Sequence, residues 1–215
     1  MIKKEYLKSK NTPQIAIFII WCITLYITFL TSSIDYSDKI ISTVQELRNK
    51  DGIFMALLPI VALVLNGLVS PENKARLVFW KYKYALPGHR VFSKLSKTDS
   101  RIDYFALLRR IGTMPAEPKD ENSKWYSIYK QFADVLIVRE SHKAFLLSRD
   151  LCSIAFVFTI MGSLSLLIYG QKLKWIMLYF GIMIMQYIIL AIVAQNYGNR
   201  FVCNVIAEYT ADNSI

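Results

Sequence analysis

The chain has 215 residues, a net charge of +10 at pH 7, 54% apolar residues and a positive mean hydropathy. This apolar fraction excludes an ordinary soluble domain of the same size. The apolar residues are concentrated in four runs of 17 to 20 residues, each long enough to cross a bilayer. We therefore predict an all-α membrane protein with four transmembrane helices and a helical cytoplasmic domain, 70–150, inserted between spans two and three.

The first span is predicted at Gln14–Thr31, with Pro13 in its first turn. The tail before it is basic, so the positive-inside rule places it in the cytoplasm; its cations are Lys3, Lys4, Lys8 and Lys10. Ser32–Gly52 is the least basic connection and is predicted outside, with a short amphipathic surface helix over 40–47. Its acidic residues suit either a solvated helix face or a pore mouth that attracts cations.

The second span is predicted at Ile53–Val69, where Pro59 removes a backbone hydrogen bond and kinks the helix. Asn66 is a strong polar group near its cytoplasmic end. Two roles fit such a residue, a hydrogen bond between helices or ion coordination in a pore. Ser70 and Pro71 then indicate the start of a new helix.

The segment from Ser70 to Asp150 holds 16 Lys and Arg against 9 Asp and Glu, which is +7 of the total charge. Its predicted helices are Glu72–Tyr84, one capped by Asp99 that runs to Arg110 and closes at Gly112, Asn122–Ala133, and one from about Val135 that continues into the membrane. A turn at 86–88 and a loop at 113–121 separate them.

The third span is predicted at Leu151–Tyr169, where Ala155, Thr159, Gly162 and Ser163 provide a face for close helix packing. A short outer turn leads to the fourth span, Trp175–Ala194. Its strong polar residue, Gln186, suits either an interhelical contact or a filter. The tail, Gln195–Ile215, is predicted as an amphipathic helix that docks under the membrane or on the basic domain, with both termini cytoplasmic.

The sequence shows no arrangement typical of a catalytic site. His89 and His142 are its only near-neutral bases, and neither belongs to a metal-ligand spacing. The three cysteines are far apart and adjoin apolar runs, so they indicate neither a disulfide framework nor a metal site. We predict no catalytic residue, no metal and no cofactor, and hence no enzyme.

Cations alternate with aromatic residues between Phe79 and Arg110. This pattern can neutralise phosphates and stack bases, which favours single-stranded nucleic acid or a nucleotide messenger as ligand. A basic loop beside a membrane can equally contact anionic lipid. The predicted ligand-binding residues are Lys81, Lys83, Arg90, Lys94, Lys97, Arg101, Arg109 and Arg110.

The complete layout resembles the membrane effectors of the Hailong anti-phage defence system. The basic domain contains LPGHRVFSKLSKTDSRIDYFALLRRIGTMP and KWYSIYKQFADVLIVRESHKAFLLSRD, with two apolar spans on either side. The membrane subunit of the Kiwa system is similar in the same respects and is the competing match. The resemblance covers the layout alone, so no ligand contact is transferred from it residue by residue.

The resemblance to Hailong implies a homotetrameric ion channel in the bacterial inner membrane. A single-stranded DNA oligomer, made by a partner nucleotidyltransferase, would hold the channel closed, and loss of this DNA during infection would depolarise the cell. Two other classes of function stay open. One is a non-conducting membrane scaffold or sensor that recruits a soluble protein, and the other is a membrane enzyme that acts on lipid or nucleotide.

Overall fold

The computed structural model describes residues 11–32, 67 and 69–212, and every regular element in this part of the chain is helical. The α-helices are α1 (Thr12–Thr31), α2 (Pro71–Phe79), α3 (Ser96–Thr98), α4 (Tyr104–Ile111), α5 (Pro118–Phe132), α6 (Leu136–Ile168) and α7 (Leu173–Ala211). A 3₁₀ turn, Pro87–Arg90, and a π-helical turn, Val91–Leu95, precede α3.

Within the described part of the chain, three helices, α1, α6 and α7, are long and apolar enough to cross a membrane. They contain the first, third and fourth predicted spans, as expected for a multi-pass membrane protein. The second predicted span, Ile53–Val69, lies almost wholly outside the described residues. The predicted surface helix at 40–47, the N-terminal lysines, Pro59 and Asn66 also lie outside them.

Helices α6 and α7 are much longer than a bilayer requires. They have 33 and 39 residues, or about 50 and 58 Å, against a hydrocarbon core of about 30 Å. The apolar run of α6 begins at Leu151 and that of α7 ends at Ala194. The predicted helix from about Val135 into the third span is thus confirmed, and the tail helix is a direct continuation of α7.

The chain divides into two compact units. The first, the basic unit, consists of Pro71–Arg149 and the chain from Ala191 onward. Its core is the end of α7, where every residue of Phe201–Ile206 is at most 4% exposed. The predicted tail helix is present, and of its two predicted docking places it takes the one on the basic domain. Asn196 and Arg200 on this helix are exposed, whereas Phe201–Ile206 is covered on every side.

Aromatic side chains hold α5 against the end of α7. The rings of Trp125 and Tyr129 meet the Phe201 ring edge-on at 5.4 and 5.5 Å between centroids. Phe132, at the end of α5, also contacts α7: its ring meets the Tyr209 ring edge-on, with 6.2 Å between the centroids. Edge-on pairs of this kind add to the stabilisation from buried area alone.

The second compact unit, the apolar unit, consists of the described part of Ser9–Ser70 and Asp150–Leu190. The Tyr26 hydroxyl on α1 lies 2.6 Å from the Ser165 hydroxyl on α6. The Tyr179 hydroxyl on α7 donates to the Phe158 carbonyl at 3.0 Å. A Cβ at Gly162 would overlap that same hydroxyl oxygen, so α7 packs directly against the small-residue face of the third predicted span.

Three helix boundaries in the basic unit differ from the prediction. Helix α2 ends at Phe79 rather than Tyr84, since Trp80 takes the left-handed backbone conformation with φ +52°. Helix α4 is capped by Asp103, whose Oδ1 accepts from the Ala106 amide at 2.9 Å. The cap predicted at Asp99 was wrong, although the predicted close at Gly112, with φ +71°, is confirmed.

Helix α5 also begins earlier than predicted, at Pro118 instead of Asn122. Proline suits the first turn of a helix because the missing N–H has no intrahelical partner there. The acidic residues Asp120 and Glu121 follow in the same turn, where the helix dipole favours negative charge. The predicted loop therefore ends at Glu117.

Candidate anion-binding surface

Seven of the eight predicted ligand-binding cations fall into three groups in the basic unit, and the eighth, Lys83, lies in the loop after α2. The first contains Lys81, Arg90 and Lys94. Burial lowers the pKa of Lys81, and the charges of Arg90 and Lys94 lower it further, so these cations lie close enough to repel one another. A group of like charges favours the binding of an anion because the anion relieves their repulsion.

Arg90 is held in place by hydrogen bonds to the loop before it and to α7. Its Nη1 donates to the Ala85 carbonyl and its Nη2 to Asn199 Oδ1 on α7, each at 3.3 Å. Its guanidinium lies 4.8 Å from the centroid of the Phe79 ring. Burial lowers the pKa of Arg90 as well. Arg90 thus serves the packing of the unit, whereas Lys94 is exposed.

The second group is Lys97 and Arg101. Arg101 forms an ion pair with Asp99, with 2.7 Å between Nη2 and Oδ2, and its Nη1 donates to Asn204 Oδ1 on α7 at 2.7 Å. The hydrogen bonds from Arg101 hold the pKa of Asp99 at about 2. The carboxylate that was predicted as a helix cap instead orients this guanidinium. Lys97 is exposed, with its Nζ 5.7 Å from the Tyr104 ring centroid.

The third group is Arg109 and Arg110 at the end of α4. Arg110 donates to the carbonyl oxygens of Tyr209, at 2.6 Å, and Asp212, and it lies over the Tyr209 ring. It therefore satisfies carbonyls in the last turn of α7, which have no partner within the helix. Arg109 is exposed, as is Lys83 in the loop after α2.

A pocket of about 300 Å³ also lies in the basic unit. One side is the 3₁₀ turn that leads to Arg90, and the other is formed by α5, α6 and α7. Aromatic rings dominate the lining, and two of them, Trp125 and Tyr129, stack at 5.5 Å. The pocket was not foreseen because its walls come from five separate segments, the fifth being the start of α2 at Pro71. Its lining includes Leu86, Pro87, Gly88, Asn122, Trp125, Tyr129, His142, Phe145, Arg149 and Phe201.

Both histidines make contacts that hold parts of the basic unit together. The His142 ring stacks on Phe201 at 4.5 Å, and its Nδ1 lies 3.0 Å from the Tyr129 hydroxyl. His142 precedes the apolar run of α6, and burial, aided by the charge of Arg149, lowers its pKa to about 4. His89 Nδ1 lies 2.8 Å from the Pro118 carbonyl oxygen. Within the described ranges, no three His, Cys, Asp or Glu side chains are grouped as metal ligands.

Gln186 lies in the apolar unit and connects two helices. Its Oε1 accepts from Trp21 Nε1 at 3.2 Å, and its Nε2 lies 3.7 Å from Cys22 Sγ, both on α1. This geometry favours the interhelical role over the filter role. Its predicted counterpart, Asn66, lies outside the described residues. Cys22, Cys152 and Cys203 are all free and buried.

Sequence reasoning missed one residue that positions this surface, the carboxylate of Glu121. Glu121 is 2% exposed, and its Oε2 accepts from the amides of Phe92 at 2.9 Å and Ser93 at 3.1 Å. These amides belong to the π-helical turn that carries Lys94. The signal for α5 was present in Pro118 and the acids after it, but nothing local indicates which amides the carboxylate would reach.

No family model, curated protein or solved structure matches the chain.

Proposed function

We propose that the chain is the subunit of a homo-oligomeric, ligand-gated ion channel of the bacterial inner membrane. Its ligand is an anionic nucleic acid, a single-stranded DNA oligomer or a nucleotide, bound by the basic unit on the cytoplasmic side. The role in anti-phage defence, the tetrameric state and the partner nucleotidyltransferase follow from the layout that resembles the Hailong effectors. Opening of the channel would depolarise an infected cell.

One observation carries this proposal: three predicted ligand-binding cations are hydrogen-bonded to a helix that also contains an apolar span. Arg90 donates to Asn199, Arg101 donates to Asn204, and Arg110 donates to the Tyr209 and Asp212 carbonyls. Asn199, Asn204 and Tyr209 belong to α7, which continues without a break into the Trp175–Ala194 run. A ligand bound by the exposed cations next to Arg101 and Arg110 therefore acts beside this helix.

Gating requires that the ligand bind one state of the channel more tightly than the other. A complete switch, from 1:99 to 99:1, needs a difference of about 5.5 kcal/mol. Shared among four identical subunits, this is about 1.4 kcal/mol per subunit, or a tenfold difference in affinity at each site. A few phosphate contacts in each subunit supply a difference of that size.

The exposed cations Lys94, Lys97 and Arg109 lie on the segment from the π-helical turn to α4, and we assign such contacts to them because Arg101 and Arg110 already hold the fold together. Lys81 and Lys83 are also exposed but lie in the loop after α2. Each phosphate contact to a single strand contributes about −0.7 to the slope of log affinity against log salt. The triple variant K94Q/K97Q/R109Q should therefore bind a short single-stranded DNA with a slope that is smaller by about 2.

The matched control removes three equally exposed cations from α5, in the variant K119Q/K124Q/K130Q. It loses the same net charge, and its salt slope should stay close to that of the unchanged protein. Equal slopes for the two variants would show that the ligand responds to overall charge, and the proposed site would be wrong.

Ion flux through reconstituted vesicles, with and without the same DNA, tests the second half of the proposal. A change in flux that depends on the DNA and is reduced in K94Q/K97Q/R109Q supports a gated channel and gives the sign of control. Binding of DNA with no flux in either condition would contradict the channel. It would favour a scaffold or sensor that passes the signal to a soluble protein.

A further inference from the structure

The loop after α2 presents three aromatic side chains to the outside of the basic unit. Trp80 is 56% exposed, Tyr82 78% and Tyr84 47%, and Lys81 and Lys83 alternate with them. We call these five residues the aromatic–lysine loop. Large aromatic side chains are usually buried, so three exposed rings in five residues form an aromatic patch of the kind that marks an interaction site.

The backbone of the loop is held in an uncommon conformation. Trp80 and Tyr84 have φ values of +52° and +53°, in the left-handed region that bulky side chains rarely adopt. Neighbouring groups fix it: the Trp80 amide donates to the Arg76 carbonyl at 2.9 Å, and the Tyr84 ring lies 5.2 Å from the His89 ring. Strain of this kind persists where the surrounding structure imposes it, and it is concentrated at functional sites.

Contacts of α2 fix the position of the loop along α7. Gln195 Nε2 donates to the Val78 carbonyl at 2.7 Å, and a Cβ at Gly198 would lie 2.8 Å from Cζ of Phe79. Gln195 is the first residue after the apolar run of α7, and Gly198 lies about 6 Å beyond its end at Ala194. The headgroup layer of a bilayer extends about 5 to 8 Å beyond the hydrocarbon on each side. The loop therefore starts at the level of the headgroups.

We propose that the aromatic–lysine loop is a membrane-interface anchor that binds anionic lipid. Trp80, Tyr82 and Tyr84 occupy the headgroup layer, where amphipathic rings partition favourably, while Lys81 and Lys83 neutralise lipid phosphates. This inference does not depend on the proposed channel, because lipid contact needs neither a nucleic acid nor a pore. It removes Lys81 and Lys83 from the predicted nucleic-acid contacts and leaves Lys94, Lys97 and Arg109.

The basic unit provides a matched control residue, Phe105 on α4, which is 73% exposed. Helix α4 is bracketed by Arg101, bonded to Asn204, and Arg110, bonded to Tyr209. Those two acceptors lie about 15 and 22 Å beyond Ala194 along α7, well outside the headgroup layer. A ring at 105 should be as exposed as Trp80 but should contact water.

The experiment measures tryptophan fluorescence of the whole protein in vesicles of phosphatidylcholine and phosphatidylglycerol brominated at carbons 6 and 7. The difference between the unchanged protein and Trp80→Phe isolates the emission of Trp80. We expect bromolipid to quench at least half of this emission and aqueous iodide to quench little of it. The variant Phe105→Trp, made in the Trp80→Phe background, should show the reverse.

Two further experiments test whether the loop recognises anionic lipid. Replacing phosphatidylglycerol by phosphatidylcholine should weaken the quenching of Trp80, and K81Q/K83Q should remove that dependence on lipid charge. The variant Tyr82→Cys, labelled with an environment-sensitive dye, repeats the test at a residue whose side chain has little packing to lose; the native cysteines are buried.

Quenching of Trp80 by iodide but not by bromolipid would overturn the proposal. If added single-stranded DNA then protected Trp80 from iodide, the loop would belong to the nucleic-acid site instead. Quenching of Trp80 by bromolipid that is equal in mixed and pure phosphatidylcholine vesicles would also overturn it, because the lysines would then have no lipid charge to recognise.

Discussion

Replacing Glu121 by alanine should destabilise the basic unit more than any single change of an exposed charge. The carboxylate is 2% exposed and accepts from two amides, those of Phe92 and Ser93. Phe92 is itself 2% exposed, so water cannot easily replace the lost acceptor. The alanine variant leaves two donors unpaired at the start of the π-helical turn.

An unpaired buried donor, the Phe92 amide, costs about 1 to 3 kcal/mol, and the lost hydrogen bond of the exposed residue Ser93 costs about 1 kcal/mol, so Glu121→Ala should lose about 3 kcal/mol of unfolding free energy. For a chain of this length 1 kcal/mol shifts the melting temperature by about 2 to 4 °C, which predicts a fall of about 9 °C. Glu121→Gln keeps an oxygen at the same place and loses only the charge. The melting temperature of Glu121→Gln should therefore fall by about half as much as that of Glu121→Ala.

Thermal unfolding of the whole protein, in one detergent and at one scan rate, checks this order. Asp120 is the matched control because it is exposed in the same first turn of α5, and Asp120→Ala should lower the melting temperature by about 2 °C. Equal shifts for Glu121→Ala and Asp120→Ala would refute the reasoning. Affinity for single-stranded DNA should also fall in Glu121→Ala alone, since the turn that it orders carries Lys94.

Three more predictions concern packing, acid and the apolar unit. Gly198→Ala should cost about 1 to 3 kcal/mol because a Cβ there meets two phenylalanine rings, whereas Gly181→Ala, which has open space, should leave the melting temperature nearly unchanged. His142 has a pKa of about 4 against about 6.5 when unfolded, so the folded state binds fewer protons between these values. Stability should fall by about 2 kcal/mol from pH 7 to pH 5, and melting curves of His142→Gln should lack this part of the loss. Gln186→Leu removes the bond from Trp21 and should cost about 1 kcal/mol; a changed reversal potential in that variant would instead favour the filter role.

The spans could be predicted from the sequence because the requirement behind them is local. Lipid offers no hydrogen bonds, so a spanning helix must be a continuous apolar run, and such runs are visible at Gln14–Thr31, Leu151–Tyr169 and Trp175–Ala194. Gly112 was likewise predictable, since a glycine after a helical pattern commonly takes the positive φ that ends it.

The sequence does not show which cations hold the fold and which are exposed, because this depends on hydrogen-bond partners about a hundred residues away. Nothing in the sequence around Arg101 or Arg110 indicates that one reaches Asn204 and the other the last carbonyls of α7. Exposed Lys97 and Arg109 are their close neighbours in sequence and have the same charge. Composition predicts a basic segment, and only tertiary packing distinguishes the cations that hold the fold from those that can meet a ligand.

The discontinuity of the basic unit imposes an order on its biosynthesis. Pro71–Arg149 is translated before the two apolar runs that follow it, whereas Phe201–Ile206, in the core of the same unit, is translated after them. Trp125, Phe132 and Arg110 therefore have no partners on α7 until that part of α7 has been synthesised. The first segment of the basic unit cannot complete its core as it emerges, so its aromatic side chains stay uncovered by α7 while both apolar runs are being translated.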